Sequence, residues 1–283
     1  MTLAYLILAH ANPSQLQRLV QKLSNNQTDI YIHIDAKARL GDFTTIAALP
    51  NVYFVTKREK VYWGAYSIVQ ATVNGFEQML ATGKPYDFIT LLSGQDYPLK
   101  TNAKILDFFK ANPNKAFMEF YTVNDVWQEA IPRLNKYYLT NYPFAGSTKL
   151  EQILNKLLPK RQPPKDIVFV GRSQWFTITL AQAKYIVTTL ATNRQLRRFF
   201  RFTWGSDEFV FQTLLYNSPF KVEMINDNLR YIDWSSGGAS PRTLTMADAP
   251  ALLETDKLFA RKFNVATDVE ILNTIDASNQ QPI

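Results

Sequence analysis

The 283-residue chain is 46% hydrophobic and 13% aromatic, a composition that buries a large core and excludes a disordered or low-complexity protein. Zero cysteines and only two histidines, His10 and His33, exclude a disulfide framework, a thiolate metal site, a cysteine nucleophile and a histidine-rich zinc cluster. The 31 Lys and Arg against 24 Asp and Glu leave a net charge of +7, which favours anionic partners such as nucleotide phosphates, acidic polymers or an inner membrane surface.

Part of that excess is local. Lys156, Lys160, Arg161 and Lys165 form one basic patch, and Arg194, Arg197, Arg198 and Arg201 form another. Both read as solvated faces too short for a nucleic-acid arm, so nucleic acid is not an expected partner. No segment is long and apolar enough to span a bilayer, and MTLAYLILAHA at the start lacks a basic n-region and reads as a strand. The expectation is a soluble, cytoplasmic protein, with 156–165 as the candidate for peripheral membrane contact.

Leu3–Ala9 is an apolar run of strand length, and a helix over about Pro13–Leu23 follows with Leu16, Leu19, Val20 and Leu23 on one face. Asp29–Ile34 and Val52–Val55 are the next strands. This opening predicts an α/β protein with one mixed, mostly parallel sheet flanked by helices, in which ligands gather at the carboxyl ends of strands. Leu8, His10 and Asp35 sit at two such ends. Asp35 suits a base N–H or a ribose hydroxyl, with a solvated turn acid as the alternative. Neither GxGxxG nor GxxxxGK followed by Ser or Thr occurs, so a dinucleotide or P-loop fingerprint is absent.

WGAYS (63–67) leads into a helix over about Ser67–Leu80, where the Ser67 hydroxyl either receives an anion or sugar oxygen or caps the helix. Tyr86–Leu92 is a buried strand ending in a polar Gly/Pro-shaped loop, 93–101, whose Asp96 holds a sugar hydroxyl or braces the loop. Phe117–Tyr121 is a strand carrying Glu119. The aromatic and basic stretch 126–142 fits a surface that stacks on sugars, or ordinary aromatic packing. The Pro- and Lys-rich stretch 141–165 reads as a long loop, a lid or a membrane-facing edge. Strand character resumes at Val168–Gly171 and Trp175–Thr179, then a helix at about Ala181–Ala191, and short strands at Phe220–Ile225 and Leu229–Ile232. A last helix is expected over about Ala247–Leu253. The chain divides into a nucleotide-binding half (about 1–110) and an acceptor and catalytic half (111–275) of one domain, with 276–283 a frayed tail.

FTWGSDEFVFQTLL (202–215) is the expected seat of the chemistry. Ser206 or Asp207 is placed to cap a helix, which puts Glu208 at its mouth beside Trp204 and Gly205. A carboxylate half sheltered by aromatic rings has its pKa raised toward useful basicity, whereas a first-turn acid also serves simply to complement the helix dipole. Transfer from a nucleotide-sugar needs such a base and a counter-charge for the departing diphosphate. The chain contains no Asp-x-Asp for a divalent ion, and fixed cations do that work equally well in a water-poor site. Arg242 and Lys262 are the candidates.

AYLILAH (4–10), YIHIDAK (31–37), WGAYS (63–67), LLSGQDYPLKT (91–101), SQWFTIT (173–179), TWGSDEFVFQTLL (203–215) and LFARKFN (258–264), in that order, resemble the family of core-2/I-branching β-1,6-N-acetylglucosaminyltransferases and peptide O-xylosyltransferases. The resemblance implies a GT-A-type fold without the Asp-x-Asp motif, a UDP-sugar donor and inversion at the anomeric carbon. It also implies no metal and no other cofactor. Glu208 falls on the family's catalytic base, and Arg242 and Lys262 fall on its diphosphate-binding cations. Asp35 and Leu8–His10 match its uracil and ribose pocket; Glu119 and Trp234, with Trp204 nearby, match its acceptor side. GlcNAc or xylose is the expected sugar and a glycan or glycolipid the expected acceptor. A non-catalytic carbohydrate-binding protein is the alternative. The family's animal members are disulfide-bonded and membrane-anchored, so acceptor and compartment do not carry over to this cysteine-free chain.

Overall fold

The computed structural model describes residues 1–279. Ten strands form in chain order: β1 (Leu3–Ala9), β2 (Thr28–Ile34), β3 (Val52–Phe54), β4 (Phe88–Ser93), β5 (Asp96–Pro98), β6 (Ala116–Thr122), β7 (Val170–Ile178), β8 (Met224–Asn226), β9 (Arg230–Ile232) and β10 (Phe259–Arg261). Seven make one mixed sheet in the order β3-β2-β1-β4-β7-β6-β8. All its neighbours are parallel except β4–β7 and β6–β7. The α/β architecture expected from the sequence is the one observed. Strands covered on both faces by helices read as continuous apolar runs, which is why β1 and β2 were legible.

One core lies between the sheet and the helices Pro13–Leu23 and Glu270–Ser278. The other lies under the helices Tyr66–Ala81, Leu180–Thr192 and Val210–Tyr216. In the first helix Leu16, Leu19, Val20 and Leu23 face inward at helical spacing, behind a proline whose missing N–H costs nothing in the first turn. Strand order reverses at β1, which pairs with β2 on one side and β4 on the other, so the crevice at their carboxyl ends is the place where such sheets bind ligands.

A second, three-stranded sheet, β5-β10-β9, sits beside that crevice. The sequence reading treats 93–101 as loop throughout; β5 inside it is too short to show a period, and its pairing with β10 spans over 150 residues. The two strands expected at 168–171 and 175–179 are one strand, β7. Of the strand expected at 220–225, only Met224 and Ile225 are strand, in β8; the residues before them belong to a 3-10 turn, Pro219–Glu223, that opens on a proline. A helix at Asn102–Ala111, capped by Thr101, was not anticipated.

Two larger corrections concern 141–165 and the tail. The first holds a helix, Ser147–Leu157, and within the basic patch Arg161 is buried rather than solvated. Its guanidinium donates to the carbonyls of Lys136, Phe199 and Phe202, ending the helix Arg194–Arg201. In the tail, the helix Glu270–Ser278 is the true last helix of the described residues. Asp276 is pinned at 2.8 Å to Arg18 and 2.7 Å to Lys22, and accepts the Tyr97 hydroxyl. The expected fraying at 280–283 lies outside the described residues.

Gly171 on β7 shows how tightly the sheet meets the Glu208 segment. A Cβ added there would lie 2.0 Å from the Glu208 carbonyl oxygen, so backbone must move. Gly171→Ala is expected to destabilise the fold by about 1–3 kcal/mol, the usual cost of overpacking, read as a lowered midpoint in thermal or urea unfolding. An unchanged midpoint would show that the contact yields freely.

Candidate active site

A cavity of about 720 Å³ opens at the carboxyl ends of β1, β2 and β4, and its other walls come from β6, β7, the Glu208 turn and the loops after β9 and β10. Of the expected residues, Leu8, His10, Asp35, Glu119, Glu208, Trp234 and Lys262 all line it. Ser67, Asp96, Trp204 and Arg242 do not; each is tied to segments that do.

Asp35 is fixed by the chain around it. Its Oδ1 accepts the N–H groups of Lys37 at 2.8 Å and Val61 at 3.4 Å, while Lys37 Nζ lies 3.5 Å from Oδ2. Arg58 ties the same turn down by donating to the carbonyls of Ile34, Asp35 and Ala38. Buried His33 accepts the Glu59 N–H, and burial pushes its pKa down to about 4, so it is a neutral structural acceptor.

Ser67 does not cap the helix; its hydroxyl oxygen accepts the Tyr62 N–H at 2.9 Å, and its own N–H goes to Asn141. Asp96 takes the bracing alternative. It is fully buried, accepts the N–H and hydroxyl of Ser93, and lies 3.2 Å from Arg261 Nε and 3.8 Å from Arg230 Nε. Through Arg261, which lies 4.1 Å over the Trp175 ring and lines the cavity, Asp96 sets the cationic end of the site. Neighbouring Lys262 donates to Ser240 Oγ at 2.7 Å, joining two lining segments.

Arg242 is occupied by two carboxylates. It donates to Asp233 Oδ2 at 3.0 Å and 2.5 Å, and to Asp248 at 3.0 Å with a second, shorter contact. It fastens the loop that carries lining residues Ala239–Pro241.

Glu208 sits on a 3-10 turn, Ser206–Glu208, just before the helix Val210–Tyr216. The expected cap is not made: Ser206 Oγ and Asp207 Oδ1 have no protein partner. The turn is instead held by two interlocked Trp-Gly doublets. Gly205 donates to the Gly64 carbonyl at 2.7 Å, and the rings of Trp63 and Trp204 meet edge to face at 5.2 Å. Both glycines have positive φ, and a Cβ on Gly64 would strike the Trp204 indole at 2.6 Å.

Arg133, which no sequence motif singled out, is the direct partner of Glu208, with Nη1 2.5 Å from Oε2. Its guanidinium lies 4.3 Å over Trp204 and 5.1 Å over Trp127. Burial raises the Glu208 pKa, opposed by the charge and hydrogen bond of Arg133. Asp207, nine-tenths buried on the same wall, is raised by burial and then by Glu208. Glu119, raised mainly by burial, accepts from Asn228 at 3.1 Å. The signal for Arg133 was only the aromatic density of 126–142; Arg261 was visible as the neighbour of Lys262. The site can therefore hold a proton-accepting carboxylate in a sheltered wall and an anion against Arg261 and Lys262.

The sequence profile described as "Core-2/I-Branching enzyme" matches residues 3–254. Xylosyltransferase 2 of Rattus norvegicus is 27% identical over 97% of the chain, and xylosyltransferase 1 of the same animal is 24% identical over 97%. The chain spans about one third of the length of these relatives, 33% and 35%. Among solved structures, apo mouse xyloside xylosyltransferase 1 matches 95% of this chain and 100% of its own at 12% identity, with a TM-score of 0.42.

Because Arg133 is the main charge opposing the burial of Glu208, Arg133→Leu is expected to move the Glu208 titration to higher pH. A carboxyl-detected NMR titration of the two proteins checks this; coincident curves would remove Arg133 from control of that group.

Proposed function

The chain belongs to the Core-2/I-branching enzyme family, and on that footing we propose that it is a glycosyltransferase that moves a sugar from a UDP donor to a glycan hydroxyl with inversion and without a metal. The observation that carries this reading is a single cavity lined by Glu208, Lys262, Asp35 and His10, four residues distant in sequence. Asp35, with Leu8 and His10 at the strand ends, receives the uridine. Glu208 takes the proton from the acceptor hydroxyl as that oxygen attacks the anomeric carbon and the bond to the diphosphate breaks. Lys262, with Arg261 beside it, meets the charge that develops on the leaving oxygen. Arg242 joins them when phosphate oxygens displace Asp233 or Asp248, exchanging one anionic partner for another. Glu119 and Trp234 hold the acceptor, and the names of the relatives favour xylose as the sugar, with GlcNAc the other candidate.

Glu208→Gln keeps the shape and removes the base, so turnover is expected to fall by about 10²–10⁴ with UDP affinity unchanged in calorimetry. A variant as active as the parent would defeat the assignment. Because burial raises the Glu208 pKa, the ionised base is lost as pH falls through that raised value, and the acidic limb of the rate profile should vanish in the same variant.

Lys262→Ala and Arg242→Ala should each weaken UDP binding while leaving uridine binding nearly intact, since the cations act on phosphate. Equal loss for both ligands would place these side chains in a merely structural role. Turnover in EDTA equal to that in added Mg²⁺ is the expected result for fixed cations, and its abolition by EDTA would end the metal-free part of the reading.

A further inference from the structure

The helix Ser147–Leu157 is amphipathic in the reverse sense for a helix that covers a core: none of its residues is buried. Its polar side faces the protein. Glu151 accepts the Leu139 N–H at 2.8 Å, and Asn155 accepts the Tyr137 N–H at 2.8 Å while donating to the Tyr137 carbonyl at 2.7 Å. Its apolar side faces water. Leu150, Ile153 and Leu157 are 40%, 52% and 75% exposed, and at 3.6 residues per turn they fall on one stripe. Leu158 extends the stripe, and Tyr142 and Phe144 lead into it, all exposed.

The segment is not a loose flap. Before the helix, Asn141 donates to the Arg201 carbonyl at 2.6 Å and the Tyr138 N–H to the Phe202 carbonyl at 3.1 Å. After it, buried Arg161 grips the carbonyls of Lys136, Phe199 and Phe202. Hydrogen bonds at both ends thus hold an apolar stripe out into solvent, where it carries a hydration cost with nothing to offset it.

Charge decides what covers it. Lys149 and Lys156, two turns apart, lie along one flank of the stripe, and exposed Lys160 and Lys165 follow. The helix's one carboxylate, Glu151, is turned inward. Two copies of this face would bring lysine against lysine, whereas an anionic surface satisfies both the apolar residues and the lysines at once. We propose that this strap docks the protein on an anionic lipid surface, with Leu150, Ile153, Leu157 and Leu158 entering the interface and Lys149, Lys156 and Lys160 meeting phosphate headgroups. No helix among the described residues is long and apolar enough to cross a membrane, and contact of this kind lies in the plane of the surface.

Co-sedimentation with vesicles of equal parts phosphatidylglycerol and phosphatidylcholine tests it. The protein should partition onto these vesicles, more weakly onto phosphatidylcholine alone, and less as salt rises. Each Lys→Ala at 149, 156 or 160 should lower the partition coefficient about fivefold. The double variant Ile153→Glu, Leu157→Glu should lower it about tenfold or more while retaining the parent's circular dichroism and unfolding midpoint, because both side chains are exposed. Absence of binding by the parent, equal binding to neutral vesicles, or full binding by the double variant would overturn the proposal. So would a parent dimer in analytical ultracentrifugation that the double variant dissociates, since the stripe would then be an interface between copies.

Discussion

The pairing of Glu208 with Arg133 inside a frame of Trp127 and Trp204 is the interaction on which the site depends. A carboxylate among aromatic rings is pushed toward its neutral form; a guanidinium at 2.5 Å pulls it back. Burial is the larger effect, so the Glu208 pKa stays above the ordinary carboxylate range despite Arg133. Arg133 is itself held against both rings, which restricts the guanidinium beside the carboxylate. The interlocked Trp63-Gly64 and Trp204-Gly205 doublets keep that frame in place, and the absence of a side chain at Gly171 lets the Glu208 backbone press against β7.

The opposite end of the cavity is built by different means. Arg261 and Lys262 arrive there because β10 pairs with β5 and β9, two other three-residue strands. Buried Asp96 lies against both Arg261 and Arg230, while Lys262 lines the cavity and donates to Ser240. One carboxylate facing two guanidiniums, with Lys262 beside them, leaves this end of the cavity with a net positive charge. Arg242 is instead held by two carboxylates, Asp233 and Asp248.

What was legible in the sequence follows from range. The helix Pro13–Leu23 and the strands β1 and β2 were read nearly to the residue, because buried parallel strands and amphipathic helices write their period locally. The seven motif blocks located the cavity wall at Leu8, His10, Asp35, Glu208 and Lys262. Missed features depend on distant partners. Arg133 has meaning only through a residue 75 positions away, and β5 only through β10. Ser67 suits ligand contact or helix capping and Asp96 ligand contact or bracing; only the hydrogen bonds show that Ser67 instead holds Tyr62 and that Asp96 braces Ser93. The helix at 147–157 was hidden by the prolines and lysines after it, although its leucines and isoleucine already stood at helical spacing.

Asp207 carries the argument one step further. Its side chain is nearly buried, one carboxyl oxygen has no partner, and the neighbouring Glu208 adds repulsion, so the folded protein holds its proton more tightly than the unfolded chain does. A carboxyl raised in this way contributes stability that is fully present below its unfolded pKa and is lost as pH rises through the folded one. A sequence under selection for stability alone would not retain such a group beside a second carboxylate. Asp207 stands on the cavity wall beside Glu208, yet its unpartnered oxygen is sealed from solvent, so the fold carries there a desolvation cost that no hydrogen bond offsets.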